Sequence, residues 1–80
     1  MKLFDAIVKR IQGIMTDKKI TQYALAKEIA INESSLHCIF NGKQKDISMS
    51  RLYLICDGLG ITIQEFFNHP LFDKAKIESD

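Results

Sequence analysis

The sequence predicts a compact all-α fold of five helices, and three observations predict it. Apolar residues recur at intervals of three and four along most of the chain, the spacing of helices with one inward face. No stretch shows the apolar/polar alternation of a half-buried strand. Residues that start and stop helices punctuate the pattern, leaving only short connections. At 80 residues the chain fits one domain with a modest core.

The first helix is read over about 3–17 from Leu3, Phe4, Ile7, Val8, Ile11, Ile14 and Met15. Gly13 inside it weakens it by about 0.5–1 kcal/mol relative to alanine. Asp17-Lys18-Lys19 is a polar break, after which Thr21 can cap a second helix over 22–29 with Leu25, Ala26 and Ile29 inward. Ala30-Ile31-Asn32 interrupts it. Asn32 is a strong N-cap for a third helix over 33–40, with Leu36 and Ile39 inward, and Asn41-Gly42 is a stop signal. Ser48 opens a fourth over 49–59, with Met49, Leu52, Ile55, Cys56 and Leu59 inward and Gly60 closing it. Thr62-Ile63-Gln64-Glu65 matches a capping box for a fifth over 63–67, carrying Phe66 and Phe67. Leu25, Ile29, Leu36, Ile39, Leu52, Ile55, Leu59 and Phe66 should be buried. Residues 1–68 make the domain; Pro70 breaks the chain, and 69–80 form a tail that either makes a short helix, frays or contacts a second copy.

Two cysteines, Cys38 and Cys56, give neither a disulfide framework nor a paired zinc motif. They read as free thiols of a reducing compartment. The first residues carry charge where a secretory leader needs an apolar run, and no apolar stretch could span a bilayer. A cytoplasmic protein with no membrane partner is expected. The net charge is only +1, but residues 1–45 carry eight basic against four acidic residues, and residues 46–80 three against six. A basic half joined to an acidic half suggests one face toward a polyanion; chance imbalance in a small protein is the plain alternative.

The run Ile20-Thr21-Gln22-Tyr23-Ala24-Leu25-Ala26 through Asn41-Gly42-Lys43 resembles the helix-turn-helix of the phage-repressor and Cro family, also called xenobiotic-response-element-type (XRE) regulators. The segment from Ile47 through Leu59-Gly60-Ile61-Thr62 to Phe67 is similar to the two helices that follow in that family. Thr-Gln-x-x-Leu-Ala, Asn-Gly-Lys and Leu-Gly-Ile-Thr are each weak alone, but as an ordered set they are specific. The resemblance covers about residues 4–68 and implies a lambda-repressor-like fold that binds double-stranded DNA. In such a unit Leu25, Ala26 and Ile29 face Leu36 and Ile39 across a short turn, and Ala26 must be small where the helices cross. The third helix then stands proud and can enter a major groove. The family's turn opens with glycine and this chain has Ala30, which costs about 1–2 kcal/mol if that residue is left-handed.

By match to the motif, Gln22 should bond a phosphate, and Asn41, Gly42 and Lys43 should clamp the backbone on the other side, with Lys45 as a looser charge. Such contacts position a domain without reading sequence. Base readout falls to the exposed face of the third helix, Glu33, Ser34, His37 and Cys38. Glutamate can accept from cytosine N4, and serine pairs with several base edges. Glu33 also has a plainer use at the positive end of its helix. The third helix has no lysine or arginine between Asn32 and Asn41.

His37 and Cys38 are adjacent, but neighbours on a helix point about 100° apart and do not converge on a metal or a reacting atom. His69 and Cys56 fit no ligand spacing. No enzyme, metal or cofactor is expected, and with no sensor domain following the helix-turn-helix no small-molecule ligand is suggested. Two function classes stay open. One is a sequence-specific regulator, a repressor by resemblance, working as a homodimer. The other is a protein-interaction module on the same fold, antitoxin-like or anti-repressor. Phe67, Leu71 and Phe72, which follow the family core, are the expected dimer surface; as simple caps on a monomer's core they would do no such work.

Overall fold

Helix spacing and capping chemistry resolve into five α-helices in a computed structural model that describes residues 1–78. They are α1 (Leu3–Lys18), α2 (Gln22–Glu28), α3 (Glu33–Phe40), α4 (Met49–Leu59) and α5 (Ile63–Phe67), followed by a 3-10 turn at Pro70–Phe72. Strands are absent among the described residues; one isolated bridge joins Lys2 to Glu78. No described helix is long and apolar enough to cross a membrane.

The starts of three helices are fixed locally. The Thr21 hydroxyl accepts from the Ala24 N–H at 3.0 Å, and the Ser48 hydroxyl accepts from the Arg51 N–H at 3.1 Å. At α5 the capping box is complete: Thr62 Oγ1 accepts from the Glu65 N–H, and Glu65 Oε1 accepts from the Thr62 N–H. Each pair satisfies donors that a helix start leaves orphaned. Asn32 differs. It occupies the N-cap with extended backbone, but its side chain makes no capping bond.

The ends of α1, α2 and α4 share one device. A left-handed residue closes each helix, Lys19 (φ 57°), Ala30 (φ 57°) and Gly60 (φ 78°). Its N–H bonds the carbonyl three residues back, and the next N–H reaches back five. Those next residues are Ile20, Ile31 and Ile61, all packed against the core. This is the Schellman motif with its apolar contact. In each case the isoleucine is followed directly by the next N-cap, Thr21, Asn32 or Thr62. Three connections are thus one repeated turn, and only Gly60 enters the left-handed region without a Cβ penalty.

The core is apolar throughout: Ala6, Ile7, Ile11, Ile14 and Met15 from α1, Leu25 and Ala26 from α2, Leu36 and Ile39 from α3, Leu52, Ile55, Cys56 and Leu59 from α4, and Phe66 from α5. Ile29 departs from its expected burial. It is the residue just past α2 and is half-buried, because α2 ends one residue early and Ile29 lies over α4 rather than inside the cluster. A Cβ built at Gly58 would sit 2.5 Å from Ile29 Cγ2 and 3.0 Å from Leu25 Cδ1, so the bare backbone of α4 is what lets α2 approach. Burial pushes the Cys56 thiol up to about 11, partly offset by the Arg10 charge. Met49, read as inward, is exposed at the first turn of α4, and Leu3 is exposed at the first turn of α1.

The tail makes one 3-10 turn and returns to the start of the chain. The terminal ammonium of Met1 donates to Lys76 O at 3.2 Å and to Glu78 Oε1 at 3.1 Å, and the Glu78 N–H donates to Met1 O at 2.8 Å. The ammonium's hydrogen bond to Glu78 Oε1, and the ammonium charge behind it, hold the Glu78 carboxyl below its usual range. Phe67, Leu71 and Phe72 are half-buried. The Phe67 and Phe72 rings lie 4.8 Å apart, and each meets Phe66, at 5.0 and 5.7 Å. The aromatic residues expected to meet a second copy are therefore engaged within the chain. The expected tail 69–80 includes residues 79 and 80, which lie outside the described residues.

Candidate nucleic-acid interface

The helix-turn-helix follows from burial on one side of α3. Leu36 and Ile39 are sunk against α2, with Ala26 at the crossing, all 3 % exposed or less. One helical turn carries residues 33 and 37 to the same outer face, with 34 beside them. Glu33, Ser34 and His37 are exposed, and together with Gln22 they line a shallow depression of about 320 Å³. Gln22 reaches it because Ala30 folds the chain back after two turns of α2, setting the start of α2 beside the start of α3. The first residue of α2 thus shares one surface with three residues of α3. It offers a carboxylate, a hydroxyl, an imidazole and an amide, which between them donate and accept in several directions.

Cys38 is the exception. It is half-buried and does not line the depression. One residue past His37, the helix has turned it about 100° toward the protein. Its backbone carbonyl accepts from the Gln44 N–H at 3.2 Å and so anchors the loop after α3.

At the far end of α3, Asn41, Gly42 and Lys43 form a prebuilt turn. Asn41 Oδ1 accepts from the Lys43 N–H at 3.0 Å, and Gly42 takes φ 83°. Asparagine folds its own backbone two residues on, as such turns require, while its NH2 group is a donor not used in that bond. Lys43 stands exposed. Lys45 is set apart from this group, in a recess of about 300 Å³ with Lys2, Phe4 and Asp5 at the start of α1.

Two residues were not singled out by sequence. Lys19, read only as part of a polar break, joins Gln12, Thr16, Thr21 and Gln22 in a cleft of about 730 Å³ that runs to Phe40. It places a cation beside Gln22, and a lysine three residues before a motif glutamine was the available signal. Arg10 does supporting work. Its Nε donates to Phe66 O at 2.8 Å and its Nη2 to Glu65 O at 3.0 Å, with the guanidinium 6.0 Å from the Phe66 ring centre. Nothing in the pattern marked it, because carbonyls at a helix end carry no residue signature. Among the described residues no three His, Cys, Asp or Glu side chains gather as a metal site requires.

The family model of the Cro/C1-type helix-turn-helix DNA-binding domain matches residues 10–71. The chain belongs to that family. The match runs from within α1 into the 3-10 turn, so it contains both helices of the motif, the depression of Gln22, Glu33, Ser34 and His37, and the turn at Lys43. The Cro/C1-type domain is a DNA-binding unit, and its partner is double-stranded DNA. The crystal structure of prophage Lp1 protein 11 is similar in fold, with a TM-score of 0.79 over 92% of this chain and 99% of that one, at 23% sequence identity. Curated proteins yield no match.

Proposed function

We propose that this Cro/C1-type domain is a sequence-specific transcriptional regulator, a repressor, that acts in the cytoplasm as a homodimer and performs no catalysis. In this reading α3 is the recognition helix. Glu33, Ser34 and His37 face base edges, with Cys38 at the margin. Gln22 and Lys19 grip one phosphate strand, and Asn41, Gly42 and Lys43 grip the other, with Lys45 as an outlying charge. The observation that carries it is the shared depression of Gln22, Glu33, Ser34 and His37, flanked by the prebuilt turn at Lys43. Phosphate grips on both sides of a reading face are how such domains fix register.

The test is the salt dependence of binding to a mixed-sequence duplex of about 30 base pairs, followed by fluorescence anisotropy. If each protomer neutralises about three to five phosphates, log K falls against log salt with a slope near −0.9 per phosphate. Lys43→Ala should weaken binding to all sequences alike and flatten the slope by about one unit. An affinity indifferent to salt would overturn the reading.

A further inference from the structure

Three large apolar side chains stand together in solvent on α4: Met49 is 61% exposed, Tyr53 58% and Leu54 42%. With Ser50 and Ile63 they line a shallow groove of about 580 Å³. Positions 49 and 53, and 50 and 54, are one helical turn apart and form two adjacent rows. The core takes the other side of α4, through Leu52, Ile55, Cys56 and Leu59. Scattered exposed apolar residues need no explanation, whereas the largest contiguous patch on a monomer often carries function.

The geometry points to this face of α4 pairing with the same face of a second copy about a two-fold axis. The inference rests on the DNA-binding reading for its purpose and names the surface by which two α3 helices act together. A two-fold interface must be complementary to itself. None of the five lining residues carries a charge, so the patch meets its own image without like-charge repulsion. Methionine and tyrosine are enriched where interfaces exclude water. The rim is complementary as well. If the helices cross antiparallel with Tyr53 near the axis, position 57 of one copy stands opposite position 49 of the other. The exposed Asp57 carboxylate then lies at the positive end of the partner's α4.

Location supports the same occupant. The patch lies at the N-terminal half of α4, joined to the end of α3 by residues 41–48. A copy held there is tied through one short connection to the reading helix. Area sets the strength. Three such side chains about half exposed make roughly 300 Å², the size of the largest patch on a typical monomer. A standard interface takes about 800 Å² from each partner. The pair is therefore weak in free solution and forms firmly when two copies share one duplex.

The experiment uses cross-linking and sedimentation together. In a Cys38→Ser background, Tyr53→Cys should form a covalent dimer under mild oxidation at least about tenfold faster than a control with Glu28→Cys. Sedimentation equilibrium of the wild type should show weak self-association. Tyr53→Ser combined with Leu54→Ser keeps the charge and strips the patch, and it should weaken that association at least about tenfold, with circular dichroism showing the helices intact at the assay temperature. On the 30-base-pair duplex the wild type should bind cooperatively and the double variant should not, with first-copy affinity within about twofold. Equal cross-linking rates for the two cysteine variants, or self-association untouched by the double variant, would overturn the inference. A wild type that pairs through Tyr53 but ignores duplex refutes the DNA reading and supports the surface; one that binds duplex with no cross-link at Tyr53 refutes the surface alone.

Discussion

The same substitution, glycine to alanine, should have opposite signs at two sites. Both Gly13 and Gly58 lie inside helices, where alanine ordinarily stabilises by about 0.5–1 kcal/mol. A Cβ at Gly13 meets nothing within 4 Å, so Gly13→Ala should collect that gain. For a domain of this size it raises Tm by about 2–8 °C. At Gly58 the same Cβ lies 2.5 Å from Ile29 Cγ2 and 3.0 Å from Leu25 Cδ1. Ile29 is half-buried and can yield, but Leu25 is fully buried between α2 and the core. Overpacking of this kind costs about 1–3 kcal/mol. Against the propensity gain, Gly58→Ala should be net destabilising by about 1 kcal/mol. Ile29→Ala removes the nearer obstacle, so the double variant should recover part of the loss. A thermal melt or urea titration of the four proteins reads the cycle directly. If Gly58→Ala raises Tm as Gly13→Ala does, or if Ile29→Ala fails to couple to it, the close approach of α2 to α4 is not what fixes glycine there.

Ala30→Gly and Lys19→Gly relieve left-handed strain of about 1–2 kcal/mol at φ 57°. They give back about 0.4–1 kcal/mol of that to a freer unfolded chain, so each should raise Tm slightly. Arg10→Met removes two charged hydrogen bonds at the end of α5 and should lower stability by about 1–3 kcal/mol, with the tail exchanging amide hydrogens faster than α1. Cys56 has a folded pKa of about 11 against an ordinary 9.0, so the folded state holds its proton longer than the unfolded one. Its contribution is complete below about pH 9 and fades between pH 9 and 11, a loss of up to about 2–3 kcal/mol that a Cys56→Ala variant should not show.

Much of the fold was legible because caps are local. Thr21, Ser48, Gly60 and the Thr62–Glu65 pair announce boundaries within three or four residues, and the structure uses each as its chemistry suggests. What local pattern does not hold is which neighbour arrives. Met49 has the interval of a core position, yet periodicity gives a direction and not the reach of the elements beneath it. Lys19 and Ala30 are left-handed without the glycine that signals it; the family's glycine pointed to Ala30, while at Lys19 the available sign was the following isoleucine paired with a cap. At the interface the motif placed Gln22, Glu33, Ser34 and His37 on one surface. It did not show that Cys38 turns inward, that Lys45 sits apart at the start of α1, or that Phe67 and Phe72 close on Phe66.

The central claim is that the outer face of α3 reads base edges. Selection of bound sequences from a random duplex library, run in parallel for the wild type and for Glu33→Ala, tests it most directly. The account predicts an enriched pseudo-palindrome for the wild type, and a preference relaxed at one base position in each half for Glu33→Ala. A wrong base there should cost the wild type about 1–3 kcal/mol. An identical enriched sequence from both proteins, or enrichment of none from the wild type, would contradict it.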